Sequence, residues 1–405
     1  MNKLSQNLFL LLYPFYPLLA WGLQFYFNKP IEFFVTILFA PLALYFIIYV
    51  NKKLPTYLIF FIVFVIFHLC SALVNNTLPK DVNKIYFLLS DHHLLACFLF
   101  IVIEYTVFDE DFIGKMNKRI LLVVILSLIV SLIQIKIPTF FFNTTNDEEL
   151  LYLGENRNFS IYSWVNLNSL GISFPCLISI LVSTYEGRKS TLAIVFFCGL
   201  IVSFLTRARY VMISAIVVLS QPLFNKRRSI GNRASLAITF LVGILFIGLS
   251  AHQLGYDINE VINTRILEKD SDMGSAKARI LSYEVFLVVF PKNPWLGVGP
   301  ETKKDVVDLL GGEAPLIHVG YLSYLYFYGL VGSLFLFIAI FFLLKGAWTI
   351  GKKNNFWGSF YGLIAFCLAN TTFVYFNFSE MGIVLSVIYM RFYTHKSFLP
   401  IDHSI

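Results

Sequence analysis

The chain has 405 residues, 58% of them hydrophobic and 14% charged, with a mean hydropathy of +0.73. A soluble globular protein carries about 25% charged residues, so these values exclude a soluble fold and point to an all-α polytopic membrane protein. The net charge of +7 serves first to orient helices in a bilayer, and no nucleic-acid partner is expected.

In chain order, apolar runs near the length of a bilayer crossing predict about twelve spans. They cover 8–27, 31–50, 57–74, 90–108, 119–136, 160–184, 191–206, 208–224, 235–251, 317–344, 357–375 and 379–393. The first ends in Tyr26-Phe27 rather than a small-residue cleavage site, and so reads as a retained span and not a signal peptide. Cys70, Cys97, Cys176, Cys198 and Cys367 all fall inside apolar runs, so no disulfide framework is implied.

Basic residues alternate between the two sides. With the N-terminus inside, the inner loops hold Lys52-Lys53, then Lys115, Lys118 and Arg119, then Arg188-Lys189, then Lys226, Arg227, Arg228 and Arg233. Lys345, Lys352 and Lys353 follow, and finally Arg391 and Lys396. The short outer loops hold only Lys29, Lys80, Lys84, Lys136, Arg157, Arg207 and Arg209. This bias predicts cytoplasmic termini. The chain reads as one integral membrane domain, 1–405, with a large outer loop, 252–316, between the ninth and tenth spans.

Arg207 and Arg209 mark the junction of the seventh and eighth spans. A guanidinium at membrane depth costs about 2.5–3.5 kcal/mol on insertion scales, and the neighbouring sequence offers no carboxylate. For Arg207 a snorkelling topology marker belongs on the inner side, whereas it reads as outer; Arg209 also suits snorkelling to the outer headgroups. An anion supplied from outside is the simplest partner.

Within the long loop, Ser275 to Arg279 leads into Ile280–Phe290, which is too short to span, is bounded by Pro291, and suits a helix lying in the outer interface or dipping partly into the bilayer. Arg279 is expected at its start, where free N–H groups favour an anion. Pro294-Trp295-Leu296-Gly297-Val298-Gly299-Pro300 reads as a rigid turn. Its glycines resemble a fragment of a phosphate loop, a weak reading without a preceding strand. His318 stands at the outer entry to the tenth span, level with the arginine pair if the helices pack together. Guanidinium groups suit bidentate binding of phosphate oxygens, and a histidine can take a proton from a hydroxyl. The combination suggests a transferase that uses a lipid phosphate donor.

Asp91-His92-His93 invites a metal reading. Adjacent histidines do not share a helical face and the sequence shows no third ligand, so no metal is expected and the cluster is placed in the membrane interface. His68 and Glu104 read as packed or snorkelling groups. Asn166 and Asn168, in the outer half of the sixth span, suit hydrogen bonds between helices, and Asn168 is a candidate substrate contact.

These residues resemble the bacterial O-antigen ligase and polymerase superfamily. Thr206-Arg207 resembles its Ser/Thr-Arg step at an outer helix end. Arg279-x-x-x-Tyr283, followed by Pro294-Trp295-Leu296-Gly297-Val298-Gly299, resembles its loop motif. His318-Val319, then nine residues, then Gly329-Leu330-Val331-Gly332 resembles the ligase pattern. Val319 stands where ligases carry a polar residue, and polymerases share the general layout, so both remain open.

The resemblance implies a C-type glycosyltransferase-like fold in the bacterial inner membrane, with the active site on the periplasmic face. It implies inverting, metal-independent transfer without a cofactor. The donor is a glycan on undecaprenyl diphosphate, and the acceptor is lipid A-core or a growing glycan. Arg207 and Arg279 are assigned to the diphosphate, and Arg209 to supporting them in binding the donor. His318 is assigned as base or acceptor-orienting group, and Tyr283 and Asn168 to substrate contact. A flippase of lipid-linked saccharide is the competing class. Transporters usually show internal repeats and charges near the midplane, and neither is visible. An assembly scaffold would not need Arg279 and His318.

Overall fold

Inside a bilayer no water satisfies backbone N–H and C=O groups, so apolar runs fold as helices. The computed structural model describes residues 1–27, 30–50, 52–75, 77, 88–140, 158–162, 167–206, 208–224, 275–300, 306, 309, 317–372 and 376–396. Among these residues the regular structure is all helical: α1 (Asn2–Leu12), α2 (Tyr16–Phe27), α3 (Ile31–Tyr49), α4 (Thr56–Val74), α5 (His92–Tyr105), α6 (Glu110–Lys136) and α7 (Leu167–Thr184). Then come α8 (Lys189–Leu205), α9 (Arg209–Leu219), α10 (Ser275–Val289), α11 (Gly320–Asn354), α12 (Gly358–Ala369) and α13 (Met381–Lys396).

Four of them, α3, α4, α6 and α11, are long and apolar enough to cross a membrane, and α5, α8 and α12 are shorter apolar helices. α4 shows why the environment is lipid. Leu58, Phe61, Phe64 and Val65 are buried, yet Ile59, Ile66 and Leu73 on its other face are exposed. A helix that is apolar all round needs apolar surroundings on every side. α7 sits at the centre of the bundle, against α12, α13, α9, α8 and α6, while α11 packs on α4 and α3 on α5.

The first expected span, 8–27, is two helices and not one. The chain turns at Tyr13–Phe15 between α1 and α2. Pro14 removes a ladder N–H there, and Pro17 is tolerated in the first turn of α2. The ninth expected span, 235–251, and most of the loop 252–316 lie outside the described residues.

Two contacts order the helix ends. Ser179 of α7 donates from Oγ to the Gly358 carbonyl at 2.7 Å and lies 3.2 Å from Gln221 Oε1, just past α9. The end of α9 therefore meets the start of α12. At the other end of α12, the Asn370 carbonyl accepts from Gly320 N–H at 3.1 Å, where α11 begins. Since α9 also packs on α12, the two run antiparallel, and Arg209 opens α9 at the same end of the bundle as His318.

Candidate functional site

α11 is not continuous. Gly329 has φ 63° and ψ −167°, a conformation that breaks the helix. In an unbroken helix the N–H groups of Leu330 and Val331 would reach the carbonyls of Tyr326 and Phe327. Here they donate instead to Pro294 (2.8 Å) and Trp295 (3.1 Å), and the two orphaned carbonyls accept from Val298 (3.2 Å) and Gly299 (3.0 Å). The segment Pro294–Gly299 is thus inserted into the helical ladder, and these four groups freed by the break are satisfied. This is what the two glycine motifs do: the turn 294–300 builds a backbone clamp, not a phosphate cradle. Gly299, at φ 96°, also packs against the end of α4, where an added Cβ would lie 2.8 Å from Asn75 Cβ.

The clamp fixes the helix before it. In α10, Val285 and Val289 are buried, while Ile280, Tyr283, Leu287 and Val288 are exposed. That one-sided burial suits a helix lying on the bundle. Ser282 of α10 is fully buried and its Oγ accepts the His318 N–H at 3.0 Å. Arg279 stands one turn before Ser282 and is partly buried, and Tyr283 adjoins it on the exposed side. The sequence reading placed Arg279 at the helix start. It is instead the fifth residue of α10, so the free N–H groups of that start lie a turn away from it.

Arg279, Tyr283 and His318 are therefore brought to one place. Arg209 is the first residue of α9 and Asn168 the second of α7, and their side chains lie outside the described residues, as does the whole of Arg207. Thr206, beside Arg207, is buried and ends α8 with a hydrogen bond from Oγ1 to the Ser203 carbonyl at 2.8 Å.

Beneath His318 lies a polar network that the sequence reading missed. The His93 side chain is buried in the bundle and that of Asp91 is 7% exposed; Asp91 also caps α5 by accepting the Leu94 N–H at 2.7 Å. His68 Nε2 lies 2.8 Å from Asp91 Oδ2, and its Nδ1 lies 2.7 Å from the Tyr328 hydroxyl. His93 Nε2 lies 2.5 Å from the Tyr324 hydroxyl, which in turn accepts the Phe376 N–H at 3.1 Å. Tyr324 and Tyr328 both fall between His318 and the break at Gly329, so the network holds the stretch of α11 that carries His318.

The third group beside Asp91 and His93 is His68, from α4, and not His92. Donor atoms of His68, Asp91 and His93 lie within 4.8 Å of one another, a set that could hold a metal ion. The same atoms already make the hydrogen bonds above. His92 turns instead toward Glu32 at 3.7 Å, whose carboxylate accepts from Tyr16 at 2.8 Å. Glu380, also buried, accepts from Ser173 (3.3 Å) and Asn377 (3.0 Å). Glu32 and Glu380 carried no signal in the sequence beyond a carboxylate at the edge of an apolar run.

Fold and site together define an all-helical membrane protein with an arginine, a histidine and a clamped glycine loop gathered at one end of the bundle. Residues 192–337 match the family described as O-antigen ligase. The resemblance to the O-antigen ligase and polymerase superfamily holds over that segment, which contains Arg209, Arg279, His318 and both halves of the glycine clamp. The match supports a glycan-joining function of the ligase or polymerase type. No curated protein matches the chain.

Proposed function

We propose that the protein transfers glycan from an undecaprenyl-diphosphate donor to a saccharide acceptor at the periplasmic face of the bacterial inner membrane, as an O-antigen ligase of lipopolysaccharide biosynthesis. The observation that carries this reading is the Ser282–His318 hydrogen bond. It ties the histidine to the helix bearing Arg279, at the end of the bundle where Arg209 opens α9.

In this mechanism the acceptor hydroxyl oxygen attacks the anomeric carbon as the bond from that carbon to the diphosphate oxygen breaks. The hydroxyl proton passes to His318 and the anomeric configuration inverts. Arg207 and Arg279 bind the leaving diphosphate as its charge develops, which fixed cations in a water-poor site do well. Arg209 supports them at a helix start, whose N–H groups also favour an anion. Tyr283, exposed beside Arg279, and Asn168 contact donor or acceptor. No metal takes part. The membrane arrangement that goes with this reading has twelve spans, cytoplasmic termini and the outer loop 252–316.

A polymerase of the same superfamily is the second reading, and Val319 favours it. Its side chain is 3% exposed, so it packs rather than recognising an acceptor as a polar residue there would. Deletion of the gene followed by glycolipid analysis separates the two. A ligase leaves bare lipid A-core, and a polymerase leaves core capped by one repeat unit. An unchanged glycolipid profile would refute both.

A further inference from the structure

At the end of the bundle opposite His318, a cleft of about 490 Å³ opens between α4, α11 and α13. It is lined by Lys52 and Lys53 before α4, by Lys345 and Lys353 of α11, and by Arg391 of α13, with Glu104 as its single carboxylate. Glu104 is already engaged: it accepts from Tyr57 at 2.8 Å, lies 3.6 Å from Arg391 Nε, and its backbone carbonyl accepts from Lys52. Lys53, Lys345 and Lys353 thus line the cleft without a carboxylate of their own in its lining. Among the described residues, Arg391 Nε–H is buried without a hydrogen-bond acceptor. Partial burial lowers the affinity of Lys52 for its proton, and the neighbouring Arg391 charge lowers it further, against an opposing pull from Glu104. The apolar wall is made by Phe342, Ile350 and Met390.

The tendency of lysines to gather on one side of a membrane protein explains why they are at this end. It does not explain their convergence. Charges that only mark sidedness lower their repulsion by spreading into water, whereas these come from three separate parts of the chain onto one walled cavity.

We propose that this cleft binds a phosphate-bearing anion, carried on a phospholipid whose chains lie along Phe342, Ile350 and Met390. Ammonium groups hold phosphate as point charges, and basic pockets between membrane helices bind anionic headgroups. The binding is separate from glycan transfer and is read without it.

The test uses the full-length protein in detergent, with bound lipid followed by native mass spectrometry during titration with phosphatidylglycerol or with phosphatidylcholine. Phosphatidylglycerol is expected to be retained in preference. K345Q and K353Q, both at exposed positions, should each weaken retention about fivefold, the effect of one charge near an anionic headgroup. K118Q, at an exposed lysine away from the cleft, should leave it unchanged. A parallel arm measures the thermal midpoint with inorganic phosphate. Protection there that K345Q removes, without preferential phosphatidylglycerol retention, would keep the anion site but overturn the lipid source. Equal retention of both lipids with no phosphate effect, or an equal loss in K118Q, overturns the site.

Discussion

Gly297 and Gly329 each occupy the space where the other's side chain would stand. A Cβ on Gly297 would lie 2.6 Å from Gly329 N, and a Cβ on Gly329 would lie 2.6 Å from Gly297 N. Both have positive φ, 70° and 63°. Gly329 combines its φ with ψ −167°, a region essentially closed to other residues.

Alanine at either position is expected to open the clamp. The backbone conformation at Gly329 alone costs about 1–3 kcal/mol for a residue with a Cβ, before the clash with Trp295 is counted. G329A and G297A should each lower the thermal midpoint in detergent and reduce glycan transfer. Wild-type stability in G329A would contradict the contact.

Arg279 and His318 carry the proposed chemistry. R279A and H318A should each lower transfer from a lipid-linked donor about 10²- to 10³-fold, the loss seen when a charge-stabilising group is removed. R279K should recover little, because an ammonium does not reproduce a bidentate guanidinium. The check is an in vitro transfer assay normalised to protein level. Near-normal turnover in R279A would remove it from the site.

Ser282 touches no substrate in this scheme and acts through position. S282A leaves the His318 N–H without its acceptor, a cost of about 1–3 kcal/mol where water cannot replace it. Turnover should fall about ten- to a hundredfold through misplacement of His318, with the donor KM little changed. A change confined to KM would argue that Ser282 contacts the donor.

His68 and Asp91 are expected to matter for stability. H68A leaves the Asp91 carboxylate buried beside α5 without its main partner, and breaking a buried pair costs about 3–5 kcal/mol. The thermal midpoint of H68A should drop sharply, and that of D91N less, because D91N removes the charge itself. Chelation of the wild-type protein should leave both midpoint and transfer unchanged. A fall on chelation would show that His68, Asp91 and His93 hold a metal.

The sequence made the helices legible where one physical signal dominated. The runs at α3 and α4 are strongly apolar over their whole length, and Pro30 and Pro55 stand at their N-caps, so their limits could be read almost to the residue. Pro14 interrupts the first run, but its neighbours are apolar on both sides and hydropathy alone cannot see the turn. The break at Gly329 was hidden for a related reason: the apolar pattern continues through it, and the bonds that replace the ladder come from a distant loop. Arg279 and His318 were visible one by one in the sequence, as a basic residue ahead of a short apolar segment and a histidine ahead of a long apolar run. His68, Asp91 and His93 were not visible as a group, because only the packing of α4 against α5 and α11 brings them together.

The parts of the seat at His318 follow one another along the chain. The end of α4, with Asn75 and Thr77, comes first and later receives Gly299. The strip Pro294–Gly299 comes next. The stretch Gly320–Tyr328 follows both and is too short to hold a helix alone. Its partners precede it in the chain: two carbonyls that take the N–H groups of Leu330 and Val331, and two N–H groups that take the carbonyls of Tyr326 and Phe327. A nascent chain stopped before residue 320 would contain all of these partners, and the histidine would arrive just ahead of the helix that locks it in place.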